Sequence, residues 1–357
     1  MSREFLQIPA GVSDAQYQTG ILPHVSRTFA LTIPQLPPEL RTAVTSAYLL
    51  CRIADTIEDE PALSPGESQQ FLRRFAAAVT GSEPVEPLVA ELVPRLSERT
   101  LPGEHDLVRN MARVIRIVGT FSREQRAAIA RCIELMCGGM HQFQQNASIR
   151  GLKRSTDLDS YCYFVAGVVG EMLTELFCSH SSAIAARRAQ LRELAASFAQ
   201  GLQMTNILKD IWEDRSRGAC WLPQEVFSRH GVDLAQLSRE HYDVRFGEGL
   251  KELIAVAHAH LRNAVAFTLM IPAEEAGIRR FCLWAVGLAV LTLKRIESNP
   301  RFTSGQQVKV SHTALALTLG LTSVSVRSDW LLARLFNWAA AGLPLAPPED
   351  VHWGHAQ

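Results

Sequence analysis

Net charge is the first thing this 357-residue chain lacks: Lys+Arg and Asp+Glu both number 36. A balanced chain has no broad electrostatic footprint for nucleic acid, so no nucleic-acid partner is expected. Ordered cysteine spacing is missing too. The seven cysteines (51, 132, 137, 162, 178, 220 and 282) form no CxxC and no metal-finger pattern. They read as small buried hydrophobes in a reducing compartment, and a cytoplasmic location is expected. Hydrophobic runs of membrane-spanning length are lacking: FCLWAVGLAVLTL (281–293) and HTALALTLGLTSVSV (312–326) fall short of the roughly 20 residues a bilayer requires. Both are expected to be buried helices. MSREFLQIPAGVSD has no charged segment leading into an apolar one, so no signal peptide is expected, and the polar tail APPEDVHWGHAQ suggests no anchor. Alternating β-branched stretches are nearly absent. VKVSHT (308–313) is the one short run to consider, and a loop ending in a helix cap suits it better.

What is present has helical periodicity. Runs at 67–80, 105–119, 123–145, 183–211, 249–270 and 312–342 place apolar residues at i, i+3, i+4 and i+7. Pro and Gly cluster between them, as in PQLPP (34–38) and PALSPG (61–66), without a long linker or a solenoid repeat. The expected organisation is one all-α domain over 20–342, preceded by a lead segment (1–19) and followed by a polar tail (343–357).

Two aspartate pairs interrupt this pattern: Asp55/Asp59 in RIADTIEDE and Asp210/Asp214 in NILKDIWEDRSRG. Residues four apart project from one helix face, so each pair makes a two-carboxylate ledge, widened by Glu58 and by Glu213. A lone DxxxD is ordinarily a solvated face. Here the acids share their turns with apolar residues, and like charges at i, i+4 destabilise a helix. Such repeated local conflict is expected at functional sites. Ledges facing each other in a helical bundle would suit Mg²⁺, which takes one or two carboxylates, keeps waters and binds phosphate oxygens. The chemistry implied is that of diphosphates.

Nearby residues extend the pattern. Arg52 lies three residues before Asp55 and either neutralises it or grips phosphate; Arg27 stands in HVSRTFA, where Ser26 is a phosphate contact or simply a helix cap. Around the second ledge, Asn206, Lys209, Asp210, Glu213 and Asp214 follow one continuous helical face, with Gln203, Arg215 and Arg217 beside it. Between the ledges, DLDSYCYFVAGVVGEMLTELF (157–177) begins near Tyr161. Ala166, Gly167 and Gly170 in it permit close approach of a helix or an apolar chain. Tyr161 is either a packing residue or a participant in proton transfer or cation stabilisation.

SRTFA, YLLCRIADTIEDE, YCYFVAGVVGEMLTELF and QMTNILKDIWEDRSRG, in this order, resemble the squalene/phytoene synthase family over roughly residues 20–340. The resemblance implies an all-α isoprenoid synthase bundle with a central active-site cavity. It also implies Mg²⁺-dependent, head-to-head condensation of two prenyl diphosphates. FCLWAVGLAVLTL followed by QQVKVSH is similar to the squalene-forming branch. That branch converts two farnesyl diphosphates to presqualene diphosphate and reduces it with NADPH to squalene. On this resemblance Asp55, Asp59, Asp210 and Asp214 hold the metal. Tyr48, Arg52, Tyr161 and Phe281 take catalytic roles. Ser26, Arg27, Glu58, Gln203, Asn206, Lys209, Glu213, Arg215 and Arg217 contact substrate, with Phe29, Phe164, Val165 and Leu173 lining its apolar part. Lys309 contacts the NADPH phosphate, and a water-insoluble product implies a peripheral membrane contact.

Two departures bear on the diphosphate contacts. Ala219 stands in SRGACWLP where a second arginine is common in the family, and Lys209 stands where arginine is frequent, keeping the charge without the bidentate geometry. Three alternatives stay open: a dehydrosqualene or phytoene synthase that uses no reductant, a chain-elongating prenyltransferase or terpene cyclase, and a non-catalytic relative. The second class usually carries DDxxD, and this chain has no adjacent aspartates; the third tends to lose the acids, and all four are present.

Overall fold

The computed structural model describes residues 11–26, 28–144, 148–348 and 351–352, without the side chains of His141 and Gln144. Among these residues the regular elements are helices, and the one β pairing is an isolated bridge between Leu152 and Pro223. VKVSHT is indeed a loop ending in a cap. It leaves the 3₁₀ turn Gly305–Val308, and Ser311 Oγ accepts from Ala314 N–H at the start of the helix His312–Ser325.

The chain forms two compact units, one of residues 1–145 with 172–185, the other of 146–171 with 186–357. In the first unit the helix Pro38–Glu58 is central. Helices Asp14–Val25, Pro65–Thr80, Met111–Gly119 and Arg123–Gln144 pack around it. Pro38 at its first turn and Glu39 beside it suit a helix start, and 13 of its 21 residues are buried. The acids fall in its last turn, where no basic residue offsets them.

In the second unit the helix Arg188–Lys209 is central, against Val244–Met270, Ala276–Ser298 and the π-helical turn Tyr163–Gly167. Glycine is required where these backbones meet. A Cβ on Gly170 would lie 2.0 Å from Ala195 O, so the small-residue stretch accommodates a helix. The segment carrying Tyr161 starts earlier than expected, at Ser155, and Tyr161 precedes the π turn. Packing over the π turn, with its extra residue per turn, shifts the register that a regular period would give.

Two expectations about the apolar runs need correction. FCLWAVGLAVLTL lies within the longer helix Ala276–Ser298. With Ser155–His180 and Val244–Met270 it is long and apolar enough to cross a membrane, but 61–67% of each most apolar window is buried inside the protein. Arg279 and Arg280 precede the run and Lys294 and Arg295 follow it, but the helix continues past both pairs and so is longer than the run itself. The helix His312–Ser325, expected to be buried, buries only Ser325. It rests on Ala276–Ser298 and against the helix Asp329–Ala339, a thinner cover among the described residues than that around Arg188–Lys209.

A buried polar knot joins Arg188–Lys209 to Val244–Met270 in the second unit. His260 Nδ1 lies 2.9 Å from Ser197 Oγ, which also accepts from Asn263 Nδ2 at 2.9 Å. Burial pushes the His260 pKa down to about 4 from 6.5, so the ring is neutral in the fold. Below pH 6.5 the unfolded chain binds this proton and the folded chain does not. Stability therefore falls by about 1.4 kcal/mol per pH unit on acidification from pH 6.5 towards 4. Denaturant unfolding across this range should show that slope in the parent protein and a flatter one in His260→Asn.

Candidate functional site

The first ledge occupies one stripe of Pro38–Glu58, where Tyr48, Arg52, Asp55 and Asp59 follow i, i+4, i+7 and i+11. Asp59 caps the helix through its N–H to Asp55 O, so both carboxylates stand at the negative pole of the helix. About 38% of the Asp55 side chain reaches solvent. Burial nonetheless raises its pKa to about 7, with Asp59 and Glu104 adding to the rise and Arg52 opposing it. Half-buried Glu58 is pushed well above its ordinary range by burial and then by Asp59 and Asp55.

Arg52 is a cation of this ledge, and Glu104 lies closer to it than Asp55 does. That carboxylate, from the helix Pro102–Arg109, lies 2.7 Å from Nη2, whereas Asp55 lies 3.8 Å from Nη1. Arg52 Nε is buried with no acceptor. A buried donor in this state costs about 1–3 kcal/mol, which an anionic oxygen would relieve. Tyr48 donates to Val25 O (3.1 Å), and its ring packs on Phe29 at 4.9 Å. Burial raises the Tyr48 pKa, against Arg52 and a hydrogen bond from Ser26, so the phenol stays protonated. Ser26 Oγ also accepts from Phe29 N–H (3.0 Å), the capping alternative foreseen for it. Arg27 lies outside the described residues.

The second ledge is built differently. The expected continuous face is broken at Asp210, which separates Arg188–Lys209 from the short helix Ile211–Ser216. Lys209 Nζ lies 3.1 Å from Asp210, and Arg217 Nη2 lies 2.9 Å from Asp214. Glu213 turns to another partner, accepting from Gly305 N–H at 2.9 Å through Oε1, while its Oε2 is buried with no donor. Burial raises the Asp210 pKa, with Lys209 opposing the shift.

Three side-chain clamps hold the short helix. Arg215 donates to the carbonyls of Ile149, Leu234 and Leu237, each at 2.9 Å; Trp212 Nε1 donates to Phe302 O; and Arg239 donates to Trp212 O. Arg215, expected at the substrate, thus has its guanidinium engaged by the backbone. Arg217 is half-exposed at the ledge. Gln203 is half-buried and Asn206 exposed on the preceding helix.

The remaining predicted residues stand on other elements. Tyr161 is buried and stacked on Trp221, with centroids 4.1 Å apart and planes 7° from parallel. Phe281 is buried in its helix; Phe164, Val165 and Leu173 are half-buried; Lys309 is exposed after the Gly305–Val308 turn. Sequence reasoning missed three residues. Glu104 sits in PGEH, where an acid in a first helical turn needs no further reason. Gly305 shows its role only in the fold. Asp159, whose pKa burial raises to about 7, was hidden two residues before Tyr161.

Among the described residues no group of three or more His, Cys, Asp or Glu side chains is poised to hold a metal. Each ledge offers two aspartates. That fits Mg²⁺, which needs few protein carboxylates and fills its shell with water and phosphate. Burial, with a smaller part from neighbouring acids, raises the pKa values of Asp55, Glu58 and Asp210, and a divalent cation would favour their charged forms.

Comparison with known proteins places this geometry. The squalene/phytoene synthase family profile matches residues 22–314. Squalene synthase of Eremothecium gossypii is 27% identical over 283 residues, 79% of this chain and 62% of that protein. Squalene synthase ERG9 of Saccharomyces cerevisiae is 27% identical over 285 residues, 78% of this chain and 61% of the relative. The chain thus spans about six-tenths of the length of these relatives. A solved complex of TcSQS with the ligand BPH1237 superposes with a TM-score of 0.74 at 23% identity, covering 95% of this chain and 94% of the other. A dehydrosqualene synthase with ligand gives 0.63 at 21% identity, covering 88% and 97%. These likenesses establish the all-α isoprenoid synthase fold.

Two outcomes follow from the ledges. Asp55→Asn removes a carboxylate disfavoured by burial and its neighbours, so in chelator the variant should melt above the parent, while Mg²⁺ should stabilise it less; differential scanning fluorimetry reads both. A Cβ on Gly305 would lie 2.9 Å from Asp210 Oδ1. Since the carboxylate can rotate away, Gly305→Ala should weaken Mg²⁺ binding by calorimetry with little change in melting temperature.

Proposed function

The chain belongs to the squalene/phytoene synthase family, and from that premise we propose that it condenses two farnesyl diphosphates head-to-head into presqualene diphosphate and reduces this with NADPH to squalene. The observation that carries the reading is the pair of aspartate ledges, each at the C-terminal end of the central helix of its unit, with desolvated carboxylates and a cation beside each. Likeness to squalene synthases over about four-fifths of the chain supports it.

Asp55, Asp59, Asp210 and Asp214 are the residues that would hold Mg²⁺. When bound, the metal supplies Lewis-acid stabilisation of charge on the departing diphosphate. Arg52, held by Glu104 with Nε free to donate, binds diphosphate oxygens, joined by Lys209 and the exposed Arg217. Arg27, Ser26, Gln203 and Asn206 are further polar contacts, and Glu58 and Glu213 orient the ledges. Arg215 serves by fixing the loops around the second ledge.

Ionisation of the allylic C–O bond requires a pocket from which water is excluded. Phe29, Phe164, Val165, Leu173 and Phe281 are the apolar residues assigned to the prenyl chains in this reading. Tyr48 is kept protonated by burial and acts as a hydrogen-bond donor, not as the base that closes the cyclopropane. That role falls to Tyr161 or to released diphosphate. NADPH is a co-substrate here. Exposed Lys309 is the contact offered to its phosphate, and no further cradle is built for it among the residues described above. A hydrocarbon product needs an apolar acceptor, so peripheral contact of a cytoplasmic protein with a membrane belongs to the proposal.

Incubation with farnesyl diphosphate and Mg²⁺, with and without NADPH, tests the reading. Squalene is expected only with NADPH. Dehydrosqualene under both conditions would assign the chain to the non-reductive branch. Asp55→Asn and Asp210→Asn should each lower turnover by roughly 10²-fold or more with helicity unchanged by circular dichroism. Full turnover in both variants would remove the metal assignment.

A further inference from the structure

Large apolar side chains are exposed unevenly in this protein. Of the eleven among the described residues, seven fall between Leu317 and Leu345. Clustering of this kind marks an interaction surface, whereas scattered exposed leucines need no explanation. The segment is a pair of packed helices, His312–Ser325 and Asp329–Ala339.

The exposed residues form stripes. Leu317, Leu321 and Val324 follow i, i+4 and i+7 on the first helix, with Val324 88% exposed. Trp330, Leu331 and Trp338 share a face of the second, the tryptophans being 62% and 68% exposed. The underside is anchored. Val326 and Leu332 are buried with Leu283, and the buried Arg279 guanidinium donates to Val326 O (3.1 Å) and Asp329 Oδ1 (2.7 Å). This clamp fixes the turn between the helices, so the apolar stripes are held outward by the fold.

Charge selects the occupant. Between 312 and 345 the ionised residues are Arg327, Asp329 and Arg334. Asp329 is neutralised by Arg279, while both arginines are exposed, Arg334 lying 4.8 Å over the Trp330 ring. Tryptophan and leucine beside free arginine match the boundary between acyl chains and anionic headgroups. We propose that these two helices are a membrane-docking surface that seats the protein on a bilayer bearing anionic phospholipid. The inference rests on the reading above only for its purpose, delivery of a hydrocarbon product; the surface itself is independent of the reaction.

The test uses the full chain and sedimentation with vesicles of phosphatidylcholine, with or without phosphatidylglycerol. Binding should be at least tenfold stronger to the anionic vesicles and fall at least tenfold in Trp330→Ser/Trp338→Ser. Arg327→Glu/Arg334→Glu should abolish the preference for phosphatidylglycerol, and acyl-chain bromination should quench tryptophan fluorescence in the parent. Absence of binding to either vesicle, or binding unchanged in both variants, would overturn the proposal. So would a dimer by light scattering that the tryptophan variant dissociates without any vesicle binding, since a second copy would then cover this face. Product formation from farnesyl diphosphate in detergent should survive both variants. Vesicle binding without any product would leave the surface standing and remove the synthase reading, and product without vesicle binding would do the reverse.

Discussion

Carboxylates at the negative end of a buried helix are the constraint around which each candidate ledge is arranged. In the first unit Asp55, Glu58 and Asp59 close a helix with 13 buried residues and no basic residue in its last turn. Desolvation, mutual repulsion and the helix macrodipole all disfavour the charged form there. In the second, Asp210 ends the central helix with Lys209 as its closest cation and Arg217 as further relief. A chain selected for stability alone would place lysine or arginine at the first end as well. The arrangement is understandable as one that stores affinity for a cation, since a ligand that binds only the native state adds its binding energy to stability.

The two ledges reach this condition by different construction. The first is intrinsic to one regular helix, with Arg52 tied to Glu104 by a long-range ion pair. The second depends on a break in the helix, after which Arg215, Trp212 and Arg239 pin the chain through backbone carbonyls. Gly305 brings its backbone close enough to donate to Glu213 beside Asp210. Buried donors aimed at carbonyls satisfy loop backbone that would otherwise be costly to desolvate. They also fix carboxylate positions that a flexible loop would leave undefined.

This contrast explains what was legible in the sequence. The all-α class follows from period 3.6 and the scarcity of alternating strands, and the acids of the first ledge follow from i, i+4 spacing within one helix. Interactions between distant residues were not legible. Gly305 reaches Glu213 across 92 positions, Arg215 reaches Ile149 across 66, and no local pattern encodes either. A formal charge announces an arginine without revealing which carbonyls surround it. Composition likewise treats FCLWAVGLAVLTL and HTALALTLGLTSVSV as equals. The first is packed largely inside the protein and the second is left mostly uncovered, because cover is a property of neighbouring elements.

The charge balance around each ledge separates their roles. At the first, Asp55, Asp59 and Glu104 act on Arg52, and burial with its acidic neighbours raises Glu58. At the second, Lys209 pairs with Asp210 and Arg217 with Asp214, with Arg215 turned to carbonyls. At the first, Arg52 is drawn more closely to Glu104 than to Asp55. A divalent cation gains where negative charge is partly desolvated. The first ledge therefore serves as a metal seat in the proposed reaction. The second, with two basic side chains at its acids, is better suited to share a diphosphate between metal and cation. Replacement of arginine by Lys209 is tolerable on this division of labour, because a point charge beside a metal-held diphosphate does not need the bidentate fork.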